Sequence, residues 1–250
     1  MEPTLHYQIR QDFLVSSADV DFQQKLRLSS LTNFLIQVAW RHAEHLGWGT
    51  DDLHKHNLVW VLSGMQIELD KYPVWRDSIN IETWPKGINR LYYLRDFLIR
   101  NQQGDVIGRA TSNWLLIDIE RRRPRQHDLN NEVFRHNLNR NALEELIAPS
   151  PFQGKVEKEL PLSPRFSDID LNHHLTTTRY VDWMFDTFSP DDIAQERAKG
   201  ILLNFNKEVV YDQQVVMQRS EKAGNKIYFQ LIDSKRPKAI FNATLTYSSS

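Results

Sequence analysis

The sequence predicts an α+β protein built as two tandem copies of one plan, each a bent antiparallel sheet wrapped around a single long helix. Three observations point there. The first half runs as a strand-like segment, a long helical segment and then a meander of strand-like segments. A stretch holding Pro149, Pro151, Gly154, Pro161 and Pro164 then breaks any regular pattern. Beyond it the order of one helix followed by strands returns.

Residues 5–16 read as the first strand. From Leu28 to Trp48, apolar side chains at Leu31, Phe34, Leu35, Val38 and Leu46 fall at helical steps, with Ser29 or Ser30 as cap and Gly47 and Gly49 as stop. His42 and His45 lie three apart on that helix, which predicts one packed and one exposed imidazole. Residues 57–70 form a strand with a bend at Gly64, and 77–84 alternate as a half-buried strand. The segments 90–101 and 106–119 make a hairpin around the turn Asn101 to Asp105, which contains Gly104. Residues 146–165 are expected to be a linker, which sets the domains at 1–148 and 149–250. The second copy then has a helix over 176–188, strands within 201–218, and a hairpin of 225–234 and 237–248. The run Gly108 to Trp114 finds a faint echo in Phe241 to Tyr247.

A chain of 250 residues suits two domains of about 125 each. Its 40% apolar and 25% charged residues describe a globular chain and exclude a disordered one. A net charge of −1 predicts no bulk attraction to nucleic acid or membrane, so partners must be read from local patches. With no Cys there is no disulfide framework, thiolate metal site or Cys nucleophile. No apolar run approaches the roughly 20 residues of a membrane span, and the first residues carry neither a secretory nor a transit pattern, so the expected compartment is the cytoplasm. No Gly-rich phosphate loop or spaced metal motif occurs, and neither a cofactor nor a metal is expected.

Chemistry concentrates between Arg165 and Phe188. Asp168, Asp170, Asn172, His173 and His174 crowd one short loop, and Tyr180, Trp183, Met184 and Phe188 then follow at helical spacing. A polar cluster at the start of a buried helix places free backbone N–H groups and the positive end of the helix dipole beside it, which suits a developing oxyanion. Asp170, Asn172 and His174 alternate, so an extended loop would turn all three the same way. By pattern alone these residues serve equally as helix caps.

The order Arg165-x-Ser167-Asp168-x-Asp170-x-Asn172-x-His174, followed by Tyr180-x-x-Trp183, resembles the plant plastid and bacterial acyl-acyl-carrier-protein (acyl-ACP) thioesterases, which are two fused hotdog domains. Similar stretches are Glu68 to Asp77, Ile81 to Pro85 and Gly108 to Trp114, so the resemblance covers most of residues 5–248 and is weakest over 125–160. It implies two tandem hotdog domains and hydrolysis of a fatty acyl thioester. It also implies a site formed by Asp170, Asn172, His174 and Glu208. The chain departs from the plant pattern in one respect: Val209 stands where those enzymes have Cys, which argues against a covalent Cys mechanism.

Further expectations follow from the resemblance. The acyl tail would lie in the N-terminal half, against Phe34, Val38, Trp40, Trp60 and Met65, although the same residues would serve as plain core. The basic run Arg121, Arg122, Arg123 and Arg125 reads as a solvated turn, or as a patch that steers the acidic carrier protein. Glu208 would act as general base or hold His174 as the base, and Asp170 would orient that group. Amides at the start of the Thr176 helix would receive the oxyanion. Acyl-CoA hydrolysis and non-catalytic acyl binding are the other functions this scaffold supports. A homodimer is compatible with the sequence.

Overall fold

In the computed structural model, residues 7–127, 129, 131–144 and 147–248 are described. Residues 5 and 6 of the expected first strand lie outside them. The chain falls into two compact units, Met1–Leu26 with Phe34–Ile147 and Arg27–Asn33 with Ala148–Ser250.

Helix α1 (Leu28–His45) belongs to the N-terminal unit from Phe34 onward, and that unit also contains strand β1 (Ile9–Leu14), helix α2 (Thr50–His54), strands β2 (Leu58–Leu69), β3 (Ser78–Asn89), β4 (Tyr92–Arg100), β5 (Val106–Asp118) and β6 (Arg123–Pro124), and helix α3 (Asn131–Asn137). Its strands pair antiparallel in the order β1-β3-β4-β5-β2, with β6 added to β5. Leu35 and Val38 of α1 are fully buried, each worth about 1.5–3 kcal/mol. His42 on the same face is also buried, while His45 is exposed. The helix stops at Gly47, whose φ of +72° admits a left-handed turn. A β-bulge between Leu62 and Gly64 bends β2 at the expected glycine, and a second lies between Pro85 and Gly87 of β3. The central strand β4 is covered on both faces, which explains its nearly continuous burial from Tyr93 to Phe97.

The C-terminal unit contains β7 (Val156–Leu162), a 3₁₀ turn (Phe166–Asp168), α4 (Thr177–Phe185), α5 (Pro190–Gln195), β8 (Gly200–Phe205), β9 (Val215–Ser220), β10 (Lys226–Asp233) and β11 (Ala239–Thr246). Its antiparallel order is β8-β11-β10-β9-β7. Tyr180 of α4 packs against Phe205 and Phe241 with ring centroids 5.5 and 5.2 Å apart.

Two expectations are corrected. The stretch read as a linker contains β7, because Pro161 sits on an edge strand, where a missing N–H is tolerated. Glu208, read as part of a strand entering the second meander, lies in the loop between β8 and β9, the two strands that fall within the expected 201–218. Helices α2, α3 and α5 are short additions to the expected plan. Ser189 caps α5 through its hydroxyl, which accepts from Asp192 N at 3.2 Å.

Candidate active site

The loop before α4 is closed by its own first acid. One carboxylate oxygen of Asp170, Oδ1, accepts from the backbone N–H of Asn172 at 2.8 Å and of His174 at 3.1 Å. The backbone N–H of Asp170 donates to the His174 carbonyl at 2.8 Å, and His173 N–H donates to the Asp170 carbonyl at 3.0 Å. His173 takes φ of +64° to make the turn. The loop is therefore a tight turn and not the extended segment that alternation suggested. Asp170 still orients His174, but through the backbone.

A second segment meets this turn. Leu175 N–H donates to the Val209 carbonyl at 2.8 Å, and His174 bridges to Val210. That brings the half-buried Glu208 beside the imidazole, with Glu208 Oε2 3.1 Å from His174 Nε2. The buried Tyr180 hydroxyl is hydrogen-bonded to the Val209 backbone. Burial pushes that hydroxyl above its ordinary pKa, and Glu208 and Asp170 add to the effect, so it stays protonated. Arg179 Nε pairs with Asp168 Oδ1 at 3.2 Å and ties α4 back to the 3₁₀ turn. The exposed Asn172 amide makes no hydrogen bond among the described residues.

All four expected catalytic residues thus meet in the C-terminal unit. With Nε2 facing a carboxylate, the neutral ring carries its proton there and leaves Nδ1 as the basic atom. Such a pair can deprotonate water, and the free Asn172 amide offers a donor to a polarised carbonyl. Tyr180 and the Val209 backbone position the pair. Sequence reading noticed Tyr180 only as part of a signature, because its bond to Val209 depends on a contact 29 residues away.

The N-terminal unit holds the same turn. Asp19-Val20-Asp21 and Leu26 match Asp168-Ile169-Asp170 and Leu175 in spacing. Asp21 Oδ1 accepts from Gln23 N at 2.8 Å and Lys25 N at 3.2 Å. Asp21 N donates to the Lys25 carbonyl at 2.9 Å, Gln24 takes φ of +60°, and Leu26 N donates to the Pro73 carbonyl at 2.9 Å. In this register Lys25 stands at the place of His174 and Tyr72 at the place of Glu208. The paired Asp-x-Asp spacing was readable in the sequence and is the signal that locates this copy.

A cavity of about 30 Å³ in the N-terminal unit is walled by Trp40, Trp48, Trp60, Tyr93 and Trp114, with Arg95 among its lining. Of the five residues expected to bind the acyl tail, Trp40 and Trp60 reach it. Phe34 stacks on Phe13 with ring centroids 4.5 Å apart, and Val38 and Met65 are fully buried in the core. Arg121, Arg122, Arg123 and Arg125 are all exposed, on the turn from β5 into β6 and just beyond it. Asp118 organises that turn, accepting from Arg121 N at 2.9 Å and lying 3.5 Å from Arg125 Nη1. Among the described residues no helix is long and apolar enough to cross a membrane.

Fold and site define a class: a double-hotdog protein with a histidine–glutamate pair seated at the loop before its C-terminal helix. Residues 6–136 match the family model of the acyl-ACP thioesterase N-terminal domain, and 153–247 match that of the C-terminal domain. The chain belongs to the acyl-ACP thioesterase family. It is 28% identical over 244 residues to an oleoyl-acyl carrier protein thioesterase of Arabidopsis thaliana, covering 90% of this chain and 66% of that protein. A palmitoyl-acyl carrier protein thioesterase of the same plant is 25% identical, with 80% of this chain and 52% of that protein covered. Both are named as chloroplastic, and the chain spans about half to two thirds of the length of these curated relatives. The fold is that of the crystal structure of an acyl-ACP thioesterase from Bacteroides thetaiotaomicron, with TM-score 0.87, 23% identity, and 97% of this chain and 98% of that one covered. The 12:0-ACP thioesterase from Umbellularia californica superposes with TM-score 0.83 at 22% identity, covering 98% of each chain.

Proposed function

We propose that the protein hydrolyses the thioester joining a fatty acyl chain to the phosphopantetheine arm of acyl-carrier protein, releasing free fatty acid. The observation that carries this reading is the 3.1 Å contact of His174 Nε2 with Glu208 Oε2 in the unit that matches the family's C-terminal domain. Glu208 holds the Nε2 proton, so Nδ1 takes a proton from water as its oxygen attacks the thioester carbon. Asn172 and the first amides of α4 stabilise the oxyanion. When the C–S bond breaks, the imidazolium returns its proton to the departing thiolate. The products are a carboxylic acid and the free thiol, and no acyl-enzyme forms. The buried Val209 and the absence of Cys support direct water attack.

Recognition of the partner is assigned to the exposed arginines of the turn after β5. Charge reversal at Arg122 and Arg123 should raise KM for acyl-carrier protein more than for acyl-CoA, with the difference fading at high salt. The acyl tail is assigned to the N-terminal unit, a reading supported by Trp60 on a cavity wall.

The deciding experiment is release of fatty acid from acyl-carrier protein by the purified protein, alongside Glu208→Gln and His174→Ala. Turnover that falls at least tenfold in both variants, with no pre-steady-state burst of carrier protein, is expected. Full turnover in both would remove the pair from the mechanism. Hydrolysis of acyl-CoA alone would replace the substrate.

A further inference from the structure

Arg95 is a cation without a counter-ion. Its side chain points from the middle of β4 into the N-terminal unit, and the residue is only 7% exposed. Nη1 donates to His42 Nδ1 at 2.9 Å and to Thr83 Oγ1 at 3.3 Å, both neutral acceptors, since His42 Nδ1 can accept only from an unprotonated position. Nε and Nη2 have no acceptor among the described residues, and no carboxylate there lies within ion-pair distance. Asp96, the next residue, faces the other side of the strand, where Lys86 Nζ lies 2.9 Å from Oδ1 and Ala142 N donates to Oδ2. Burial pushes the Arg95 guanidinium down to about 9, which leaves it charged at neutral pH.

The surroundings offer no relief. Three polar groups of the aromatic walls are already engaged: Trp60 Nε1 donates to the Trp48 carbonyl at 2.9 Å, Trp114 Nε1 to Ser112 Oγ at 2.8 Å, and the Tyr93 hydroxyl to the His127 carbonyl at 2.9 Å. All of these are neutral or donating toward partners elsewhere. A buried guanidinium with spare donors is costly unless an acceptor, best a charged one, completes it. The cavity that Arg95 lines, about 30 Å³, has room for a group about the size of two waters. Trp40, 45% exposed, offers an apolar surface beside that opening.

We propose that this cavity is a carboxylate site, in which Arg95 receives the carboxylate end of an alkyl chain whose methylenes run out along Trp40. The site favours the fork geometry of a guanidinium with the two oxygens of a carboxylate over a hydroxyl, whose single oxygen cannot match both free donors. A carboxylate-ended alkyl chain has two sources under the proposed hydrolysis: the free fatty acid product, or an acyl substrate with a second carboxylate at its far end. The site itself stands on the geometry of β4 and does not need the hydrolysis to be correct.

The four tryptophans of the wall supply the readout. Intrinsic fluorescence of the full chain is titrated at pH 7 with dodecanoate and with dodecan-1-ol, both below micelle formation. The expected result is saturable binding of dodecanoate at least tenfold tighter than the alcohol, and loss of that preference in Arg95→Met and Arg95→Gln. Equal affinity for acid and alcohol in the wild type, which needs no variant to fold, overturns the proposal. So does a preference that survives both substitutions in folded protein. Turnover of dodecanedioyl- against dodecanoyl-carrier protein then assigns the source. An Arg95-dependent preference for the diacid points to the substrate chain, and inhibition by dodecanoate without such a preference points to the product. Arg95-dependent binding in a protein that hydrolyses neither thioester would retain the site and reject the proposed function.

Discussion

At the scale of single residues, the site separates chemistry from support. Asp170 touches no reacting group in the proposed mechanism, yet its Oδ1 holds the N–H groups of Asn172 and His174. Asp170→Asn keeps an oxygen that can accept both bonds, whereas Asp170→Ala leaves two donors unmatched and frees the turn. We expect kcat to fall at least tenfold in the Ala variant and only a few-fold in the Asn variant. Equal losses would mean that the charge, and not the turn, is what matters. Tyr180 acts one step further out. Removing its hydroxyl in Tyr180→Phe loosens the Val209 backbone, and so Glu208, by about 1 kcal/mol. Steady-state kinetics should show a several-fold drop in kcat with KM nearly unchanged; a change confined to KM would argue against positioning.

At the scale of elements, strand β5 leaves no room beside Gly108. A Cβ there would lie 2.6 Å from Leu69 Cδ2, 3.0 Å from the Glu68 carbonyl oxygen and 3.1 Å from Ile99 Cδ1. Backbone cannot yield as a side chain does, so Gly108→Ala should destabilise by about 1–3 kcal/mol. The urea midpoint would fall with an unchanged m-value. On β3, burial alone would raise the Glu82 carboxyl, but Arg140 at 2.7 Å and Arg10 at 3.3 Å outweigh it and hold the pKa below its ordinary value. A folded-state pKa below the unfolded one adds stability that is complete above the unfolded carboxylate range and is lost as pH falls through the folded value. Glu82→Gln should therefore narrow the gap in urea midpoint between pH 7 and pH 3. An unchanged gap would assign acid sensitivity to other carboxylates.

These elements also show what the sequence made legible. Helix α1 and the β4–β5 hairpin carry long, regular periodicities, so their extents follow from pattern. Strand β7 carries Glu157, Lys158, Glu159 and Pro161, a composition without an apolar stripe, because an edge strand with exposed faces has little to bury. Glu208 was found by its likeness to a family, and only the chain's return to Leu175 sets it in a loop beside His174. Arg95 gave no signal at all, since a lone cation in an alternating strand looks like a solvent-facing residue until both faces of β4 are seen to be covered.

At the scale of the whole molecule, one turn is used twice with different side chains. Lys25 and Tyr72 stand in the N-terminal copy where His174 and Glu208 stand in the C-terminal one, on matching backbone hydrogen bonds. The comparison is a control supplied by the fold itself. Lys25→Ala and Tyr72→Phe should leave kcat within about twofold, against losses of tenfold or more at His174 and Glu208. Comparable losses at both copies would show that the turn contributes through structure alone. A lysine and a tyrosine there replace the imidazole and the carboxylate, so that copy lacks the histidine–glutamate pair. Counted by stoichiometry, the scaffold then presents two seats and fills one with a base, so a calorimetric titration with a transition-state analogue should end at one equivalent per chain.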